Sequence, residues 1–156
     1  MELAGHPRPT SRDTFAPGHY TASAFVLSPD GRDLLLIEHA KLARWLQPGG
    51  HVDPDDADLV AAARREVAEE TGLHDLELLQ PAPFDLDVHV IPARKADPEH
   101  RHFDVRYLFR ALTRHIQADS DALAARWVPL EDVPSIESDE SVWRAVRKLQ
   151  ATGSRA

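Results

Sequence analysis

The chain has 156 residues, 42% of them apolar, enough for one compact domain with a sizeable core. Its net charge of −8 and a pI near 5.5 argue against tight binding to a phosphate backbone, so no specific nucleic acid is expected as a partner. Cysteine is absent, which excludes a disulfide framework, a thiolate zinc site and a cysteine nucleophile.

The longest uninterrupted apolar run, Leu59 to Ala63, is far shorter than the roughly 20 residues that cross a bilayer, so no membrane association is expected. Residues 1–19 hold Pro7, Pro9 and Pro17, lack an apolar signal core and read as an irregular lead-in, with a cytoplasmic location expected. A single domain over 20–156 follows, without an internal linker. Thr21 to Leu27 and Asp33 to Glu38 are β-type runs joined by the turn residues Ser28-Pro29-Asp30-Gly31, a pattern that predicts a hairpin. Trp45 to Val52 reads as a loop whose Gly49 and Gly50, after Pro48, are expected in backbone conformations closed to other residues.

Ala57 to Thr71 predicts a helix: Val60, Ala63 and Val67 form an apolar stripe, Gly72 is placed to end it, and Asp53, Asp55, Asp56 and Asp58 crowd its start. Strands are expected at Leu76 to Leu79, Phe84 to Ile91, Phe103 to Leu112 and Arg126 to Leu130. A last helix, capped by Ser138 or Asp139, should run through Leu149. Strands mixed with two helices, without regular βαβ alternation, predict an α/β fold with a mixed β-sheet flanked by helices.

The chemistry concentrates in the predicted first helix. At helical spacing, Glu66, Glu69 and Glu70 share one face, and like charges at i,i+4 cost a helix a few tenths of a kcal/mol unless a cation joins them. Carboxylate oxygens suit a hard divalent ion such as Mg²⁺, which keeps waters and positions for substrate phosphates. Arg65, four residues before Glu69, can hold that carboxylate in place. Taken alone, the helix fits a solvated acidic face as well as a metal site.

Gly49-Gly50-His51-Val52-Asp53-Pro54-Asp55-Asp56 followed by Arg65-Glu66-Val67-Ala68-Glu69-Glu70-Thr71-Gly72-Leu73 resembles the signature box of the Nudix hydrolases. That box reads Gly, five residues, Glu, seven residues, then Arg-Glu-apolar-any-Glu-Glu-any-Gly-apolar. Two departures stand out: Asp56 occupies the place of the first Glu, and eight residues separate it from Arg65. The resemblance implies an α/β/α sandwich and hydrolysis of a nucleoside diphosphate linked to another moiety, with Mg²⁺ or Mn²⁺. By position it implies Glu66, Glu69 and Glu70 as metal ligands, completed by a carbonyl of Gly49 or Gly50, with Arg65 orienting the cluster and Glu66 or Glu70 assisting water. A later acid is expected as distal base or extra ligand; Asp121 is the first candidate and Glu99 the second.

Asp85, Asp87 and His89 fall on one face of a predicted strand, as do His100, His102 and Asp104, so each set is a candidate for substrate contact or, less directly, metal binding. His39 and His51 flank the Gly-Gly segment and are expected near phosphate or base. With His89 and Asp104 they complete the expected substrate-binding set. Trp45 and Trp127 could stack on a base or close the core. Isomerases of the same fold use a cysteine that this chain lacks, and NADH-cleaving relatives usually carry a cysteine-bound zinc module. Two alternatives to hydrolysis remain: a noncatalytic nucleotide sensor, although such modules usually lose carboxylates that are all present here, and a plain acidic binding domain without metal, which a divalent-ion titration would distinguish. A homodimer, with the N-terminal segment as a candidate contact, is also open.

Overall fold

Unbroken apolar runs such as Ala24–Leu27 and Leu34–Ile37 suit strands covered on both faces. A computed structural model, which describes residues 3–117 and 122–153, has that arrangement. In chain order the elements are β1 (His19–Leu27), β2 (Asp33–His39), β3 (Arg44–Leu46), β4 (Gly49–His51), α1 (Leu59–Thr71), β5 (Leu76–Leu78), β6 (Asp85–Ile91), β7 (His100–Ala111), β8 (Ala122–Pro129) and α2 (Glu140–Gly153). The strands form one mixed sheet in which β1 and β7 pair in parallel from His19↔His102 to Leu27↔Arg110.

Alternation along β1 divides the core. Ala22, Ala24 and Val26 pack with Ala62, Ala63 and Val67 of α1, whereas Phe25 and Leu27 pack with Val142, Ala145, Val146 and Leu149 of α2. The result is the expected α/β/α sandwich, with each helix burying its stripe on an opposite face of the sheet.

Several expectations need correction. β1 and β2 do turn through Ser28–Gly31, but only Leu27↔Leu34 is registered between them. Beyond that pair they part, β2 continuing antiparallel to β8 while β1 takes β4 and β7. The Trp45–Val52 segment is not a free loop, because it supplies β3 and β4. Gly49 and Gly50 also lack the left-handed backbone expected of them; their φ angles are not positive, and they are glycines because neighbours crowd their α-carbons. The first helix begins later than Ala57: Asp58 caps it, its carboxylate accepting from Ala61 N at 2.8 Å, and Gly72 closes it with φ 74°.

The lead-in is irregular yet packed. Leu3 and Thr14 are buried, Tyr20 N donates to Pro9 O at 2.8 Å, and Thr14 Oγ1 donates to Arg8 O at 2.8 Å. No described helix is long and apolar enough to cross a membrane.

Candidate active site

α1 carries its carboxylates against β4 because Gly50 has no side chain. A Cβ there would stand 2.6 Å from Glu66 Oε1, and one at Gly49 would stand 2.7 Å from the Ser23 Cα. Register sets the two glycines on opposite faces of β4: Gly50 lies opposite Ala22, whose side chain packs toward α1, and Gly49 opposite Ser23.

Arg65 is the hub. Its Nε donates to Asp56 Oδ1 at 3.0 Å and its Nη2 to Asp56 Oδ2 at 2.8 Å, a two-pronged pair, while Nη2 also reaches His51 O at 2.9 Å. Nη1 donates to Glu66 Oε1 and to Glu69 Oε2, both at 3.1 Å. Asp53 adds a carboxylate 3.4 Å from Nε. Asp56, despite the shorter side chain and the extra residue, thus reaches Arg65; its Oδ2 also accepts from Asp53 N at 2.8 Å, which folds the loop back onto the helix. The bonds from Arg65 hold the Asp56 carboxyl below its ordinary value.

Glu66 and Glu70, one turn apart, differ from Asp56. Burial raises the Glu66 carboxyl, with Arg65 opposing. Glu70 is pushed up to about 8 by burial first and by the charge of Glu66 second, against a Gly49 backbone N–H that favours the charged form. Glu70 Oε2 is buried with no hydrogen-bond partner, and Arg65 does not reach it. Glu69 is exposed. An orphaned carboxylate oxygen beside a second, half-buried carboxylate is an arrangement that a divalent cation would complete, and an all-oxygen donor set suits Mg²⁺ or Mn²⁺.

The other expected residues scatter. His51 points to the sheet face away from α1, into a group of imidazoles with His19, His89, His100 and His102. His89 is exposed at its rim, Nδ1 3.5 Å from Asp87 Oδ2. Asp104 is buried and engaged within the protein: it accepts from Thr21 Oγ1 and Ser23 Oγ at 2.9 Å and from Arg106 Nε at 2.8 Å. His39 lies at the end of β2, its carbonyl bonded to Ala43 N at 2.9 Å and its Nδ1 buried without a partner, and among the described residues no hydrogen bond or ion pair joins it to Glu66, Glu69 or Glu70. Glu99 is exposed beside β7, and Asp121 lies outside the described residues. Trp45 and Trp127 line the two cores, with Arg126 4.3 Å over the first ring and Arg114 5.5 Å over the second.

Two sets of residues escaped the sequence reading. His19 joins the imidazoles only through the parallel β1–β7 pairing. Arg106, buried at 2% exposure, lies between Asp104 and Asp85, and Asp85 in turn accepts from Arg144 Nη2 and Lys148 Nζ of α2, both at 2.6 Å.

Comparison with known proteins agrees with this geometry. Residues 17–149 match the NUDIX domain model. An RNA pyrophosphohydrolase of Caulobacter vibrioides is 32% identical over 134 residues, 77% of each chain. The phosphatase NudJ of Escherichia coli is 35% identical over 115 residues, 70% of this chain and 68% of that one. The crystal structure of a Nudix-family hydrolase from Clostridium perfringens superposes with a TM-score of 0.69 at 21% identity, covering 86% of this chain and 97% of that one, a likeness of fold. Both the domain match and the carboxylate helix packed on Gly50 therefore lead to one conclusion: this chain belongs to the Nudix family of hydrolases.

Proposed function

We propose that the chain hydrolyses a diphosphate linkage in a nucleoside diphosphate joined to another moiety, with Mg²⁺ or Mn²⁺ held by Glu66, Glu69, Glu70 and a carbonyl of Gly49 or Gly50. The observation that carries this reading is the unpartnered, buried Glu70 Oε2 one helical turn from Glu66, on a helix whose Arg65 is already committed to Asp56, Glu66 and Glu69 and whose Arg64 donates to Leu76 O. A bound divalent cation neutralises diphosphate charge and makes a coordinated water acidic enough to attack near neutral pH.

The chain's own contribution is positioning and proton handling. Arg65 fixes the Glu66 and Glu69 carboxylates, Asp56 fixes Arg65, and Glu66 or Glu70 would assist the attacking water through a carboxylate oxygen not taken by the ion. Asp121 remains the first candidate for a distal base and Glu99 the second. His89, exposed, and His51, half-buried, both on the face away from α1, are the proposed substrate contacts. His39, set apart from the carboxylates, and Asp104, bonded on both oxygens, are weaker ones.

The relatives bear on substrate choice. One is named for RNA, so RNA belongs among the compounds to be tested although the chain is acidic. Release of phosphate or nucleotide from ADP-ribose, dinucleoside polyphosphates, nucleotide sugars, oxidised nucleoside triphosphates and 5′-pyrophosphorylated RNA, with and without Mg²⁺ or Mn²⁺, tests the reading. Metal-dependent turnover of at least one supports it. Nucleotide binding without turnover would instead make the chain a sensor.

A homodimer is the proposed assembly. Leu86, Val88 and Val90 of β6 are 64%, 56% and 55% exposed on one face of a strand whose described pairing is with β7, an apolar stripe that a second copy would cover.

A further inference from the structure

On the sheet face away from the carboxylate helix, four strands bring imidazoles to one point. His19 of β1 stands opposite His102 of β7, His102 opposite His89 of β6, and His51 of β4 reaches in from the strand that pairs the other edge of β1. Ring centroids of His19 and His102 are 4.8 Å apart, of His51 and His102 5.0 Å, and of His19 and His51 5.2 Å. One ring nitrogen from each of these three lies within 4.8 Å of the others.

The tautomer of His19 is set from behind. Its Nδ1 lies 3.1 Å from the Thr14 carbonyl, which can only accept, so the proton is on Nδ1 and Nε2 presents a bare lone pair. That Nε2 is buried with no partner, in a residue only 1% exposed, and His102 Nε2 is likewise buried and unpartnered. Among the described residues, neither His19, His51 nor His102 forms an ion pair with a carboxylate, and the charges of Asp13 on His19 and of Asp53 on His51 are the smallest of the influences on those rings. Burial, then Arg12 and the neighbouring histidines, lowers His51 to about 4, and burial with the neighbouring histidines lowers His102 to about 3, a direction that favours the neutral ring a metal needs. The three rings line a cavity of about 220 Å³ rimmed by Arg12, Phe15, Arg94 and Asp97, with room for a water or small anion beside them.

We propose that His19, His51 and His102 form a transition-metal site, for Zn²⁺ or a similar ion, separate from the carboxylate helix. Imidazole nitrogen selects Zn²⁺, Ni²⁺, Co²⁺ or Cu²⁺ over Mg²⁺, so the two sites differ in donor chemistry as well as in place. Three histidines with an open side facing a cavity is the donor set of zinc sites that keep a position for water or ligand. The two sites touch through one residue: the His51 ring enters the imidazole group while its carbonyl accepts from Arg65 at 2.9 Å.

The test uses the full chain, freed of metal by chelation and then given one equivalent of Zn²⁺. X-ray absorption at the zinc edge should show a nitrogen shell near about 2.0 Å with the outer scattering of three imidazoles. A shell made of oxygen would overturn the proposal on the wild type itself, whatever any variant does. Calorimetric titration of His102→Asn, with circular dichroism to confirm folding, should show Zn²⁺ affinity falling by more than about 100-fold, beyond what loss of an outer partner causes. Zn²⁺ binding within twofold of wild type in His102→Asn, together with its loss in Glu66→Gln, would place the ion at the carboxylates and refute the assignment.

Discussion

Gly50 and Glu66 are matched by shape: the position a Cβ of residue 50 would occupy is 2.6 Å from Glu66 Oε1, so the helix carboxylate rests on bare backbone. The atom in the way is the end of a flexible side chain, which can move. Gly50→Ala is therefore expected to change stability by less than about 1 kcal/mol while displacing the carboxylate, and a displacement near 1 Å can lower kcat by about 100-fold. At Gly49 the obstacle is the Ser23 backbone, 2.7 Å away, which cannot yield cheaply. Gly49→Ala should cost about 3 kcal/mol. Thermal unfolding and steady-state kinetics of the two variants separate these effects.

Asp56→Asn tests the departure from the family signature. The substitution removes the charge that receives both prongs of Arg65, leaving that guanidinium with Glu66, Glu69, Asp53 and the His51 carbonyl. A loss of about 2 kcal/mol is expected, as for a hydrogen bond to a charged group, along with a fall in kcat larger than any rise in KM. Asp56→Glu, which restores the family residue, should retain the charge yet still cost stability, because both Asp56 oxygens are already placed on Arg65 and Asp53 N and a longer side chain must shift to keep those bonds.

The legible part of this protein is the part that is local. Helical spacing placed Glu66, Glu69 and Glu70 on one face and put Arg65 within reach of Glu69, because those relationships span a single turn. Strand alternation likewise grouped Asp85, Asp87 and His89. The pairing that gives these groups meaning is nonlocal. Nothing near Asp104 in the chain announces Thr21 and Ser23 as its donors, and nothing near His19 announces His102. Glycines 49 and 50 showed that the backbone was special there, but not that the reason was a neighbouring strand and helix rather than a turn.

The acid limb of stability should run through Asp85. Burial alone would raise this carboxyl, but hydrogen bonds from Arg144 and Lys148 outweigh it and lower the group below its ordinary value. A carboxyl depressed in the folded state contributes stability that is complete above the unfolded value of about 4 and is lost as pH falls through the folded one. Wild type should therefore lose Tm steeply below pH about 4, while Asp85→Asn, already weaker by about 3 kcal/mol at pH 7, should show a shallower acid limb. Melting curves from pH 2.5 to 7 check this, with parallel limbs as the contrary result.

Val88→Lys addresses the proposed assembly. If β6 meets a second copy, a charge in the middle of the Leu86–Val88–Val90 stripe should convert a dimer to a monomer in light scattering, leaving the melting temperature of the monomer unaffected. An unchanged mass for the variant would remove β6 from the interface.

Glu70→Gln gives the most direct test of the central claim, since it preserves shape and burial while removing the carboxylate that a cation would hold at the unpartnered Oε2. Turnover of the best substrate of the panel should be compared with wild type across a Mg²⁺ titration. The account predicts a fall in kcat of about 100-fold or more, with saturation only at higher Mg²⁺ concentrations. A variant with wild-type kcat and wild-type Mg²⁺ dependence would contradict the assignment of the α1 carboxylates as the catalytic metal site.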